Sequence, residues 1–156
     1  MRHRLLVHVV WATRDRAPIL TLESVRFLSG YFARICLEED AKLVQLGAVR
    51  THVHLLIRSH PARSLSRTIS RLKGGSAYHG RREHGLVIRW HPGYSLDSVS
   101  WRAIRRVGSY IADQHRRHPR EAIEGWRPGT AHISAFLASL EREHYGGEHR
   151  LPHGGS

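Results

Sequence analysis

His52 and His54 flank Val53, and Tyr110 stands four residues before Gln114. In a strand, side chains two apart share a face. In a helix, side chains four apart are neighbours. The first pair therefore fits a strand and the second a helix. Together they offer two imidazoles, an amide oxygen and a phenol: three metal ligands and one oxygen nucleophile. On a chain with a formal charge of +12, that set points to chemistry on a nucleic-acid phosphate.

Each pair also has a plain structural reading. The chain holds 14 histidines, so a His-x-His triplet can arise by chance. Two imidazoles about 7 Å apart along a strand meet one ion only if they lean together. Metal-dependent TIM-barrel hydrolases carry such a pair, but their barrel needs about 250 residues. Histidine-triad nucleotide hydrolases need a third alternating His, and Leu56 stands there. Tyr110 can equally be a tyrosine at the core edge, and Gln114 a solvated glutamine.

The strand that would carry the histidines is Thr51 to Ser59. Its alternation puts Val53, Leu55 and Ile57 on one face and His52, His54, Leu56 and Arg58 on the other. Lys42 to Arg50 reads as its hairpin partner. The tyrosine helix runs from Trp101 to His118 and stops before Pro119. Ile104, Val107, Gly108 and Ile111 form its buried stripe. At 100° per residue, Tyr110 falls about 105° and Gln114 about 65° from the centre of that stripe. Arg106 and Arg117 lie on the same flank.

Leu5 to Thr13 reads as a first strand, followed by the basic turn Arg14-Asp15-Arg16. Thr21 caps a helix to Glu39 whose apolar positions Val25, Leu28, Phe32 and Ile35 keep helical spacing. Ser64 to His79 is a second helix, with Gly74-Gly75 expected to weaken or end its regular part. Leu86–Trp90 and Tyr94–Val99 read as short strands around the His91-Pro92-Gly93 turn. A last amphipathic helix is expected from His132 to Glu143. The Gly- and His-rich stretch 146–156 reads as disordered. The order β-α-β-β-α-β is the ferredoxin-like, RRM-like pattern: an α+β fold with helices packed on an antiparallel sheet. One domain over 1–145 accounts for the length.

Of the 25 basic residues only Lys42 and Lys73 are lysine. Arginine's planar fork matches phosphate oxygens, although a GC-rich genome also favours Arg codons. No apolar run approaches the roughly 18 residues of a membrane span. The lone Cys36 has no internal disulfide partner and sits in an apolar stretch, as a buried thiol would. These features lead us to expect a cytoplasmic protein with no membrane partner.

The chain resembles the IS200/IS605 family of single-tyrosine transposases, members of the HUH (His-hydrophobic-His) nucleases, including REP-associated relatives. The resemblance runs from about residue 5 to residue 118. It is carried by His8-Val9-Val10-Trp11-Ala12-Thr13-Arg14-Asp15-Arg16 with Ala17 to Leu20, and by His52-Val53-His54-Leu55-Leu56. Leu72-Lys73-Gly74 with Ser76, Gly93-Tyr94 with Ser98-Val99, and Tyr110-Ile111-Ala112-Asp113-Gln114 complete it. One departure is visible: Thr51 stands where the family usually has an acidic residue.

The resemblance implies the HUH nuclease fold and cleavage and rejoining of single-stranded DNA with hairpin ends. Tyr110 would be the nucleophile, forming a 5′-phosphotyrosine link. His52, His54 and Gln114 would bind a divalent metal, and their mixed nitrogen and oxygen set suits Mg²⁺ or Mn²⁺. Arg14, Arg16, Lys73, Arg106 and Arg117 are the candidate DNA contacts, with Trp90 either stacking on a base or packed in the core. Relatives lead us to expect a homodimer whose subunits share their sites, in a bacterial or archaeal cytoplasm near the nucleoid. Two readings compete: a domesticated, non-catalytic hairpin-binding protein on the same fold, and a structural metal protein using other histidines.

Overall fold

The computed structural model describes residues 4–128, 135–139 and 142. Four strands form one antiparallel sheet: β1 (Leu5–Ala12), β2 (Lys42–Val49), β3 (His52–Ser59) and β4 (Ser95–Ser98), in the order β2-β3-β1-β4. Helices α1 (Leu22–Glu38) and α2 (Leu65–His84) follow β1 and β3. That is the ferredoxin-like order, so the expected α+β architecture is the observed one. Residues 132–134, 140, 141 and 143 of the expected His132 to Glu143 helix and the 146–156 stretch fall outside the described residues, while 135–139 and 142 are helical.

Alternation gives the sheet two different faces. Val7, Val9 and Trp11 of β1 and Val53, Leu55 and Ile57 of β3 point into the larger core, beneath α1 and α2. Leu56 of β3 and Val44 of β2 face a smaller core with Ile104, Ile111, Phe136 and Leu137. Helix α3 (Ile104–Ala112) covers that second face. The histidine strand is thus packed on both sides, and its polar row emerges beside the tyrosine helix.

The helix ends follow the expected chemistry. Thr21 accepts a hydrogen bond from the Ser24 amide, and Ser24 Oγ accepts one from the Thr21 amide, closing a capping box. Helix α2 is capped by Gly85, whose left-handed φ of 64° favours a residue without Cβ.

Three expectations need correcting. The Gly74-Gly75 step does not end α2, which continues to His84. A Cβ on Gly75 would stand 1.8 Å from Tyr31 Oη, so this glycine is where α1 and α2 approach closely. Residues 86–90 form no strand. Leu86 and Ile88 are buried as alternation suggests, but only Trp90 bridges to Thr13. Strand β1 ends at Ala12, so the segment has no ladder to join. The expected Trp101–His118 helix is broken into a 3₁₀ turn at Trp101–Ala103, α3, and a short α4 (Gln114–Arg117). The second break is at Asp113 (φ −93°, ψ 13°), a residue type that readily leaves helical geometry.

Candidate active site

The site is built on β3. His52 and His54 lie on the face opposite Val53, and each is only 5% exposed. Their rings are 5.1 Å apart between centroids, closer than a flat strand would hold them. Across the sheet, Gly47 of β2 pairs with His54. A Cβ on Gly47 would fall 2.0 Å from the Ile111 carbonyl oxygen. Glycine here lets α3 settle directly onto the sheet beside His54.

That seating brings Tyr110 to the histidines of its own chain. Its ring centroid is 5.7 Å from that of His54 and 6.0 Å from that of His8, both edge-on. The tyrosine is 36% exposed, and the Arg117 guanidinium lies 4.4 Å from its ring centroid. Two clefts meet at this phenol. One, of about 540 Å³, is lined by Arg16, His52, His54, Tyr94 and His118. The other, of about 590 Å³, is lined by His8, Arg106, Asp113 and Arg117.

Gln114 is not on a solvated flank. The break at Asp113 precedes it and it is 1% exposed. Its Nε2 donates to the Tyr110 carbonyl at 3.0 Å, which fixes which end of the amide is oxygen. Oε1 is buried and makes no hydrogen bond, although the side chain is near enough to His52 to favour its protonated form. A buried amide oxygen without a donor is costly. Coordination to a cation would satisfy it.

Both histidines are held toward the neutral form. Burial pushes His54 down to about 3, helped by the neighbouring His52, His8 and His118. Burial also lowers His52, with His118 and Arg16 adding to the effect and Glu121 and Gln114 opposing it. Neutral imidazoles keep a lone pair for a metal. Nδ1 of each ring is already engaged: His54 with His8 Nε2 at 2.9 Å, His52 with Thr51 Oγ1 at 3.0 Å. That leaves Nε2 of each to ligate. Among the described residues no group of three or more His, Cys, Asp or Glu side chains is arranged to hold a metal. With Nε2 of His52 and His54, the buried Gln114 oxygen would complete a donor set of two imidazoles and an amide that fits a divalent ion.

The remaining expected residues divide by position. Arg16 reaches the first cleft, whereas Arg14 stays exposed on the turn before it. Arg106 and Arg117 line the second cleft. Lys73 Nζ donates to the His91 and Gly93 carbonyls at 2.7 and 2.9 Å, and burial lowers its pKa. Trp90 donates from Nε1 to Ser76 Oγ at 2.9 Å and packs edge-on against Trp11, a core role. Lys73 and Ser76 together fasten the 90–93 loop, which forms one wall of the first cleft.

Sequence reading gave no role to His8, His118 or Glu121. His8 had a signal: a polar residue on the β1 face opposite Val7 and Val9. His118, whose ring centroid is 5.2 Å from that of His52, and Glu121 had none. They reach the site only because the chain turns after α4.

The family model for IS200-like transposases matches residues 1–114. No curated protein matches the chain. Among solved structures, a candidate transposase from Deinococcus radiodurans R1 is 28% identical, with a TM-score of 0.56, covering 74% of this chain and 94% of its own. A REP-associated tyrosine transposase bound to a REP hairpin is 13% identical and shares the fold, with a TM-score of 0.59 over 100% of this chain and 90% of its own. With its sheet, its histidine strand and its tyrosine helix in this arrangement, the chain belongs to the IS200-like transposase family.

Proposed function

We propose that this transposase cleaves and rejoins single-stranded DNA with Tyr110 as nucleophile. The observation that carries the reading is the placement of Tyr110 within 5.7 Å, ring to ring, of His54, with the unsatisfied Gln114 oxygen just beyond the break at Asp113. Tyr110 Oη attacks the scissile phosphorus and a new O–P bond forms. The P–O3′ bond breaks, the phenol gives up its proton and the departing 3′ oxygen gains one. The products are a 5′-phosphotyrosine link and a free 3′-OH. A 3′-OH from another strand end reverses the step and seals a new junction, so the bond energy is conserved. His52, His54 and Gln114 would hold Mg²⁺ or Mn²⁺, which when bound polarises the phosphate.

Arg106 and Arg117 beside the phenol, and Arg16 at the opposite cleft, are suited to hold the backbone on either side of the break. A fold neighbour bound to a hairpin supports hairpin ends as the substrate. Lys73 acts through the loop it fastens. The test mixes the protein with labelled single-stranded hairpin DNA and Mn²⁺, followed by a denaturing gel. The expected result is a covalent adduct that disappears in Tyr110→Phe while hairpin binding stays within about twofold, because the phenyl ring keeps the packing. Binding with no adduct on any end-derived hairpin would favour a non-catalytic hairpin-binding protein.

A further inference from the structure

We propose that Thr51 and Glu121 form a positioning couple that sets the tautomer of His52, with the proton on Nδ1 and the lone pair on Nε2. The inference rests on the reading of His52 as a metal ligand. Its basis is a proton count. The Thr51 hydroxyl has one hydrogen, and it donates that hydrogen to Glu121 Oε1 at 3.0 Å. A carboxylate can only accept, so the direction is forced. Toward His52 Nδ1, 3.0 Å away, the same hydroxyl oxygen has only lone pairs to offer. On that count Nδ1 carries the hydrogen and neutral His52 keeps its free pair on Nε2; Gln114, close enough to favour the protonated ring, pulls the other way.

The couple is independently anchored, and its inner half is sheltered. Thr51 is 4% and His52 5% exposed, so little water competes for the bond between them, while the Glu121 side chain is 34% exposed. Glu121 is delivered by backbone ties: the Arg50 amide donates to its carbonyl at 2.8 Å, and its own amide donates to the His118 carbonyl at 3.0 Å. Two residues on, Ile123 is buried in the larger core. Thr51 is where the chain lacks an acidic residue beside the histidine pair. Here a carboxylate reaches the same imidazole through a hydroxyl, from a residue beyond the 1–114 family match.

A purely structural contact would dock the Pro119–Glu121 turn and leave the imidazole indifferent. Two-bond ¹H–¹⁵N correlation spectra of ¹⁵N-histidine-labelled, metal-free full chain separate the two. The expected wild-type signature is a protonated Nδ1 and an unprotonated Nε2 on His52. Thr51→Val and Glu121→Ala should each shift His52 toward the Nε2–H form and weaken Mn²⁺ binding, read by electron paramagnetic resonance, about 10- to 100-fold. The double variant should cost no more than either single one, because both break the same chain of bonds. Thr51→Ser and Glu121→Gln, which keep a hydroxyl and an acceptor oxygen, should retain both readouts. If Thr51→Val does not fold, Glu121→Ala carries the test alone. The proposal is overturned if wild-type His52 carries its proton on Nε2. It is also overturned if folded Glu121→Ala keeps the wild-type tautomer and binds Mn²⁺ within about twofold of wild type. Failure of the ligand reading looks different: Mn²⁺ affinity would then be unmoved in His52→Ala.

Discussion

At the scale of single residues, the site depends on imidazoles kept uncharged. His54 titrates near 3 in the folded chain and at about 6.5 once unfolded. Between those values the unfolded chain binds the proton and the folded chain does not. The stability contributed by neutral His54 is therefore fully present above about pH 6.5 and is lost as the pH falls toward the folded value. His52 and His8 are lowered too, mainly by burial, and act with the same sign. Thermal melts of metal-free protein should show the melting temperature falling as buffer moves from about pH 7 to about pH 4. His54→Gln should make that fall shallower without abolishing it. An unchanged slope would mean that His54 is not the neutral, buried group described here.

At the scale of elements, glycines decide how closely helices approach the parts they serve. Gly47→Ala must push Ile111 and the rest of α3 away from the sheet. We expect a loss of roughly 1–3 kcal/mol in denaturant unfolding, and an adduct yield that falls further than hairpin affinity. The Gly74-Gly75 step gives an internal control. Nothing lies within 4 Å of a Cβ at Gly74, so Gly74→Ala should stabilise α2 by about 0.5–1 kcal/mol. Gly75→Ala meets Tyr31 Oη and should destabilise it; melts of the two variants should move in opposite directions. These contacts also mark what the chain reveals when read alone. Strand alternation and helical spacing place β1, α1, β2, β3 and the start of α2 close to their observed bounds, and the histidine and tyrosine flanks with them. Both signals are local. The close approaches at Gly47 and Gly75, the inward position of Gln114 after Asp113, and the arrival of His118 and Glu121 beside the histidines are long-range events, so no spacing rule announces them. Residues 86–90 misled for a related reason: alternation reports which side chains are buried, not whether a neighbouring strand exists to pair with.

At the scale of the whole molecule, one chain supplies every group the proposed chemistry uses. Tyr110 lies against its own chain's His54 and His8, so a mixture of Tyr110→Phe and His54→Ala proteins is expected to form no adduct. Adduct in that mixture would show that subunits exchange tyrosine helices, as the resemblance to dimeric transposases suggested. The charge of +12 acts at this scale too, drawing a polyanion toward clefts that individual arginines then line. The sheet order has a mechanical consequence. β3 is bonded along both edges, to β2 and to β1, and is covered above and below, so the imidazoles are set in an anvil. The phenol rides on a nine-residue helix that ends in a break and has no such frame. When strands are traded, the yielding part should be the hammer: amide hydrogen exchange in α3 should run ahead of exchange in β3.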